Sequence, residues 1–409
     1  MVISEHPVLV VMAAAAAAPF LAEIPIGIRV PVIVVEVLLG ILIGPHVLGF
    51  VQPDGPTSTT ALGGFMSTMQ LIGTSAVLFM AGMEIDFGKA RGRPLKLALS
   101  GWLLSVGLAF LAVGLLHAIP GVNAPMMVTI ALTTTGLGAL LPILRDSGQL
   151  ATPYGIHLQA AGAIGEVGPI VATSLLLSSR YSTLQELGFL LALIVLVGLA
   201  ATAGMRARPP RLIALLGRTM QASTQLPVRL ALLVVAGFMV VAVEFGFEGI
   251  FGAFVAGMVV GLATRGEEGR PFRAKVDAVF FAWFVPFFFI GTGLQFDLGA
   301  LTSSATTMFL IPAFLVLFLL VRGVTVCFYR KELSHPQRLS FALSSSVASL
   351  SLVVVITQIG LRVGSMNPDV AQALIGAALL SLLLFPTLAN VRFSKVAAPE
   401  LWGQRKGTE

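Results

Sequence analysis

Long apolar runs, bounded by glycine, proline or clustered charges, recur along the whole chain. Continuous runs of this kind predict membrane-crossing helices, which need about 20 residues each. A β-barrel would instead show short segments of alternating polarity. The pattern predicts an all-α polytopic membrane protein with about 13 transmembrane helices. We place the spans at residues 7–22, 27–43, 65–83, 96–118, 125–143, 154–178, 185–204, 227–243, 247–263, 277–295, 304–328, 336–360 and 369–391.

The basic residues test this arrangement. If the N-terminus is outside, nearly all Lys and Arg fall in cytoplasmic loops; only Arg180 and Arg362 lie outside, and Arg322 lies within a span. Cytoplasmic loops of membrane proteins carry the Lys/Arg excess. The distribution therefore predicts an external N-terminus and a cytoplasmic C-terminus. Because no basic residue precedes Arg29, we interpret the apolar N-terminus as a retained first helix and not as a signal peptide.

Composition narrows the class further. Of the 409 residues, 56% are hydrophobic and 11% are charged, whereas soluble domains are about 25% charged. We expect no water-soluble domain, and because the net charge of +6 follows the topology, no nucleic-acid partner. The single cysteine, Cys327, excludes an internal disulfide and a cysteine-ligated metal cluster. Zinc-protease, P-loop and nucleophile-elbow motifs are absent from the sequence, so we expect neither an enzyme nor a cofactor.

A basic linker at 205–226 divides the chain into two halves of six spans, with the seventh span as a bridge. If the halves share an ancestral plan, the odd span between them gives them opposite orientations. Such inverted repeats form a transport site near the midplane from interrupted helices.

Two spans in corresponding places contain runs of hydroxyl residues at mid-membrane. The fifth span carries Thr133–Thr135 followed by Gly-Leu-Gly, and the twelfth carries Ser344–Ser346. Such residues can satisfy backbone groups that unwinding frees, although small residues also simply allow close helix packing. Their occurrence in both spans favours a crossed pair of discontinuous helices.

Glu166 lies near the centre of the sixth span, in AGAIGEVGP. A carboxylate there costs about 3 kcal/mol on insertion scales and usually marks an ion or proton pathway. The alternative is a glutamate paired to a neighbouring helix for packing alone. Arg322, on the eleventh span, stays protonated, so Glu166 is its expected partner unless the side chain snorkels to the cytoplasmic interface. We interpret Glu84 and Glu244, at span ends, as structural; the role of Glu36 stays open.

Five stretches resemble, in order, motifs of the monovalent cation:proton antiporter superfamily. The closest branch holds bacterial sodium/proton antiporters, potassium-efflux systems and plant cation/proton exchangers. The stretches are VVEVLLGILIGPHVLGF, LFMAGMEIDFGKAR, TTTGLGALLPILRDSGQLATPYG, GIFGAFVAGMVVG and FVPFFFIGTGLQFDL. The match is collinear over essentially the whole chain.

The resemblance implies the sodium/proton antiporter fold in one transmembrane unit, residues 1–395, in a bacterial plasma (inner) membrane. A scaffold that forms a homodimer would comprise residues 1–90 and 225–297. A mobile core would comprise residues 91–204 and 298–395. Residues 396–409 would form a short cytoplasmic tail, so we expect no nucleotide-binding domain after the last span.

The resemblance also implies a site. The family's ion-binding carboxylate lies on the sixth span, usually as Asp preceded by Asp, Asn or Gln; Glu166 falls at the Asp position and Gly165 before it. Arg322 looks like the counterpart of the lysine that pairs with the carboxylate in electrogenic members. Glu166 would bind a monovalent cation or a proton, with oxygen ligands from Thr133, Thr134, Thr135, Ser345 and Ser346.

These features predict a secondary antiporter that exchanges Na⁺ or K⁺ for protons by alternating access. With a single carboxylate and an arginine that cannot release a proton, we expect one-for-one, electroneutral exchange. An organic-ion carrier with Glu166 permanently paired to Arg322 is the main alternative. A channel is a second alternative, and an intramembrane enzyme, for which no nucleophile–base pair is evident, is a third.

Overall fold

The regular elements follow the hydropathy pattern and are helical throughout the described part of the chain. The computed structural model describes residues 7–24, 30–51, 61–84, 92–116, 125–177, 224–245, 247–264, 269–296 and 305–403, and the single positions 188 and 219. In these ranges, seven helices are long and apolar enough to cross a membrane, and shorter apolar helices accompany them. Almost all of the predicted seventh span and of the linker at 205–226 lies outside the described residues, so the count of thirteen stays a prediction.

The helices are numbered here in chain order. The first seven are α1 (Pro7–Ala22), α2 (Val32–Ile43), α3 (Ala61–Glu84), α4 (Arg93–Leu116), α5 (Pro125–Leu132), α6 (Leu137–Asp146) and α7 (Pro153–Leu177). The others are α8 (Leu226–Glu244), α9 (Gly249–Ala263), α10 (Arg270–Val279), α11 (Val285–Leu294), α12 (Ala305–Gly323), α13 (His335–Ser345), α14 (Leu350–Arg362) and α15 (Pro368–Gly403). A π-helical turn, Phe280–Phe284, joins α10 to α11, and a 3₁₀ helix, Val324–Tyr329, continues α12.

The helix ends differ from the predicted spans where sequence outside the apolar run also favours helix. The helix α10 begins before the predicted tenth span, because Pro271 in its first turn is suited to a helix start. At the other end of the chain, α15 continues to Gly403, beyond the predicted end at residue 391. Residues 391–398, VRFSKVAA, contain no glycine or proline, and the helix then continues through Pro399.

The described residues within 1–15, 40–86 and 171–294 form one compact unit. Its helices α3 and α9 approach closely at two glycines. A Cβ on Gly82 would meet the carbonyl oxygen of Phe254, and a Cβ on Gly257 would meet that of Phe79. Small residues at such contacts let membrane helices gain packing energy. The Phe79 ring stacks on Phe280, with centroids 5.3 Å apart, in the core of this unit.

The described residues within 16–39, 87–170 and 295–409 form a second compact unit. In this unit α15 packs against α12, α13 and α14. The aromatic side chains of Phe314, Phe318 and Phe341 are fully buried here. This unit contains both interrupted helices and all of the residues predicted to bind the ion.

The two interruptions lie where the hydroxyl runs predict them. Residues 133–136 separate α5 from α6, and residues 346–349 separate α13 from α14. The backbone N–H of Gly136 donates to the Val347 carbonyl at 2.9 Å, and that of Ala348 donates to Ser381 Oγ at 3.0 Å. Backbone groups freed by unwinding are thus satisfied inside the protein, as a bilayer requires. The predicted pair of discontinuous helices is confirmed, and their unwound segments meet.

Candidate functional site

Glu166 is buried, at 3% exposure, on the helix α7. Its Oε1 accepts a hydrogen bond from the backbone N–H of Leu137 at 3.0 Å. Leu137 is the first residue of α6, so this N–H has no acceptor within its own helix. The positive end of a helix dipole also favours a nearby negative charge. The break in the fifth span therefore brings a helix N-terminus to the carboxylate.

Arg322 is also buried, at 2% exposure, in the last turn of α12. Its Nε donates to Thr135 Oγ1 at 2.7 Å, its Nη1 to Ser105 Oγ at 3.3 Å and its Nη2 to the Ala161 carbonyl at 3.1 Å. These bonds hold the guanidinium inside the unit, which is not the arrangement of a side chain that snorkels to the interface. All three acceptors are neutral oxygens, and the ion pair with Glu166 stays a prediction.

Thr135, in the unwound part of the fifth span, bonds to three other elements of the site. Its Oγ1 accepts from Arg322 and donates to the Ser345 carbonyl at 2.8 Å. Its backbone N–H donates to the Gly165 carbonyl at 3.0 Å. One residue in the unwound fifth span is therefore bonded to the end of α13, to α7 next to Glu166 and to α12.

The other predicted ligands lie at the same helix breaks but bond to their own half-helices. Thr133 Oγ1 donates to the Ile130 carbonyl at 2.8 Å, and Thr134 Oγ1 donates to the Ala131 carbonyl at 2.8 Å. At the end of α13, the Oγ atoms of Ser345 and Ser346 donate to the Ala342 carbonyl at 3.3 and 2.6 Å. These hydroxyls satisfy carbonyls that helix ends leave open, and their oxygens keep lone pairs. Their role as ion ligands stays a prediction.

Gly165 departs from the antiporter pattern, and the packing supplies a reason. A Cβ at this position would lie 2.7 Å from Thr135 Cβ and 2.9 Å from Arg322 Nη2. Separations this short force a neighbour to move, and both neighbours are held by hydrogen bonds. The space that a side chain at position 165 would need is thus filled by Thr135 and the guanidinium.

Two contributions from α4 were not predicted. Ser105 is fully buried; besides accepting from Arg322, its Oγ lies 3.0 Å from the Val321 carbonyl. The indole of Trp102 packs so closely on α7 that a Cβ at Gly168 would meet it. Ser105 interrupts the apolar run WLLSVGLAF, and this isolated hydroxyl is the signal that could have found it.

The remaining intramembrane acids differ in environment. Glu36, on α2, is 5% exposed. Glu84 and Glu244 are the last residues of α3 and α8, as predicted for positions at span ends. The side chain of Glu244 is exposed.

A buried carboxylate and a buried guanidinium beside two unwound membrane helices are the features of a secondary transporter. The comparison with known families agrees. The model of the family described as "Sodium/hydrogen exchanger, transmembrane" matches residues 12–390. The chain belongs to this family, which is one of transporters and not of enzymes. The resemblance to the monovalent cation:proton antiporters is confirmed.

Individual relatives are distant but span much of the chain. The Na(+)/H(+)-K(+) antiporter GerN of Bacillus cereus is 21% identical over 383 residues, which cover 91% of this chain and 92% of GerN. YjbQ of Bacillus subtilis (strain 168) is 22% identical over 388 residues, but the chain spans only 61% of the length of YjbQ. A solved structure of the sodium proton antiporter MjNhaP1 from Methanocaldococcus jannaschii matches with a TM-score of 0.60 and 17% identity, covering 96% of this chain and 97% of that chain. The predicted antiporter fold is confirmed by this likeness.

Proposed function

We propose that this chain exchanges a monovalent cation, Na⁺ or K⁺, for protons by alternating access, with Glu166 as the shared binding group. The observation that carries the proposal is the placement of a buried carboxylate against the N-terminus of α6, at the junction of two unwound helices. The family supports the reaction class. The name of GerN includes both cations, which supports leaving the choice between them open.

Competition for one group couples the two fluxes. Removal from water favours the neutral, protonated carboxyl group, whereas a bound cation favours the carboxylate by charge attraction. The two ligands therefore exclude each other, and neither flux proceeds without the other. Water reaches Glu166 from one side of the membrane at a time.

The breaks in the two helices supply further oxygens for the cation. The hydroxyl groups of Thr133, Thr134, Thr135, Ser345 and Ser346, together with nearby carbonyls, complete the coordination. Half-helix ends of opposite sign offset the charges, as in other transporters with discontinuous helices.

The exchange is one-for-one and electroneutral. Arg322 is held by three hydrogen bonds and keeps its proton at any working pH. It therefore contributes the same charge in every state. Because Glu166 takes up one proton or one monovalent cation, the loaded site carries the same net charge in both directions.

In this proposal residues 1–90 and 225–297 form the scaffold of a homodimer, and residues 91–204 and 298–395 move. The grouping of the described residues into two compact units supports such a division, although residues 16–39 group with the second unit and the described residues within 171–204 group with the first. The protein lies in a bacterial inner membrane with its N-terminus outside and its C-terminus in the cytoplasm. The charge distribution supports this orientation.

The decisive variant is Glu166→Gln, which keeps the shape and removes the charge. Purified protein is reconstituted in proteoliposomes with an internal acid pH, and dissipation of the pH gradient is recorded on adding Na⁺, K⁺ or Li⁺ separately. We expect exchange by the wild type with at least one cation and none by Glu166→Gln. The matched control is Glu244→Gln, which removes an exposed carboxylate at the end of α8 and should leave exchange intact.

Cation-dependent proton flux through Glu166→Gln protein that is folded, as judged by its elution from size exclusion, would overturn the proposal. Transport that persists in the wild type without any alkali cation would favour an organic-ion carrier instead.

A further inference from the structure

Pro169 lies inside the helix α7, three residues after Glu166, and is buried. In an α-helix each N–H bonds to the carbonyl four residues earlier. Proline has no N–H, so the carbonyl four residues before it loses its helical donor. Here that carbonyl belongs to Gly165, the residue immediately before the carboxylate.

The Gly165 carbonyl has a different donor. The backbone N–H of Thr135 bonds to it at 3.0 Å, although the two residues lie on different helices. Thr135 is in the unwound segment 133–136, where the fifth span offers no helical ladder. The Gly165 carbonyl, which has no helical donor because of Pro169, therefore accepts from the Thr135 N–H, which has no helical acceptor because its segment is unwound.

This backbone bond determines the position of the Thr135 side chain. Thr135 Oγ1 accepts from Arg322 Nε at 2.7 Å and donates to the Ser345 carbonyl at 2.8 Å. Both bonds have the geometry of well-formed hydrogen bonds. A displacement of the Thr135 backbone would therefore displace the guanidinium and the end of α13 as well.

We infer that Pro169 is a positioning residue of the ion site: by withholding an N–H from the Gly165 carbonyl, it reserves that carbonyl for Thr135 and thereby fixes the Thr135–Arg322 pair beside Glu166. Pro169 acts through Thr135 and does not itself bind the ion. The effect on transport rests on the proposed cation:proton exchange; the effect on the backbone bond does not.

Two variants separate the missing N–H from the bulk of the ring. Pro169→Ala restores an N–H and loses most of the ring, whereas Pro169→Val restores the N–H and keeps a similar volume. In both, the new N–H competes for the Gly165 carbonyl. We expect the cation concentration for half-maximal exchange to rise about threefold to tenfold in both, as for the loss of one neutral hydrogen bond, while the maximal rate changes less.

The matched control is Pro312→Ala. Pro312 is also inside a helix, α12, but is exposed there. We expect its half-maximal concentration to equal that of the wild type. Removing Pro312 from a helix interior restores a helical bond, so this control should unfold at no lower temperature than the wild type. In the Pro169 variants one bond to the Gly165 carbonyl replaces another, and elution from size exclusion shows that these variants are folded.

A second readout is independent of transport. Deuterium uptake by peptides covering residues 133–136 should be faster in Pro169→Ala and Pro169→Val than in the wild type or Pro312→Ala. Unchanged uptake in both Pro169 variants would overturn the inference, whatever the protein transports. A shift in Pro169→Ala that is absent from Pro169→Val would also overturn it, because ring packing would then be the cause. Failure of the wild type to exchange cations would instead overturn the proposed function.

Discussion

Arg322 places a permanent positive charge inside the second unit, beside Glu166. The residues that contact its guanidinium are small or polar, and they leave room for the charge and supply acceptors for its N–H groups. Desolvating an unpartnered charge is very costly, and here the hydroxyls of Thr135 and Ser105 and the Ala161 carbonyl accept hydrogen bonds from the guanidinium. The guanidinium fits only because residue 165 has no side chain. Glycine before the carboxylate and arginine on α12 are therefore complementary features of one site.

Gly165→Ala tests this complementarity. The added Cβ would lie 2.7 Å from Thr135 Cβ and 2.9 Å from Arg322 Nη2, and overpacking of this kind costs about 1–3 kcal/mol. We expect a lower free energy of unfolding in mixed micelles and a reduced maximal exchange rate. Gly107→Ala is the control, since a Cβ there has nothing within 4 Å, and it should be neutral or slightly stabilising. Equal behaviour of the two variants would contradict the steric account.

At the scale of elements, each broken helix is stabilised by a partner outside its own span. Gly136 in the first break bonds to Val347 in the second. Ala348 in the second break bonds to Ser381 on α15. Unwound backbone persists within a membrane protein only where such partners exist. The breaks are thus a property of the packed unit and not of either helix alone.

Ser381→Ala removes the acceptor of the Ala348 N–H. Both residues are buried, at 0% and 1% exposure, so we expect unfolding to become easier by about 1–3 kcal/mol. Thr387→Ala is the comparison, because the Thr387 hydroxyl bonds only one turn back along α15, to the Leu383 carbonyl. Thr387→Ala should lower the free energy of unfolding by about 0.5 kcal/mol or less. Reversible unfolding in mixed micelles measures both, and an equal loss in the two variants would be inconsistent with a role for Ser381 in holding the break.

From the sequence, hydropathy and side-chain chemistry predicted the membrane spans within the described residues, the two helix breaks and the burial of Glu166. Each depends on local features: apolar length, a run of hydroxyls, one carboxylate in an apolar stretch. The partners of Arg322 could not be predicted in the same way. Ser105 lies 217 residues from Arg322 in sequence, and the Gly165 carbonyl is available only because of Pro169, four residues later. Such contacts depend on how the helices are rotated and packed, which periodicity leaves open.

At the scale of the whole molecule, the constant charge of Arg322 determines whether the membrane potential affects exchange. A membrane potential acts on net charge moved, with about 2.3 kcal/mol per elementary charge at 100 mV. If the site carries one proton one way and one monovalent cation the other, no net charge moves. The pH gradient and the cation gradient alone then determine the direction of exchange.

Na⁺/H⁺ exchange in proteoliposomes should therefore proceed at the same rate at zero potential and at an imposed potential of about 100 mV of either sign. The potential is set with a gradient of the permeant anion thiocyanate, because potassium is itself a candidate substrate, and dissipation of the pH gradient is recorded. Glu244→Gln should behave like the wild type. A rate that rises with one polarity and falls with the other would show that charge moves, and one-for-one exchange would be wrong.

The claim on which the account depends is that a cation displaces a proton from Glu166. The most direct measurement is proton release when Na⁺ or K⁺ is added to purified protein in weakly buffered detergent solution, with cation binding followed in parallel by calorimetry. We predict the release of about one proton per cation bound, and no release from Glu166→Gln. Cation binding without proton release, or equal release from the wild type and Glu166→Gln, would contradict the account.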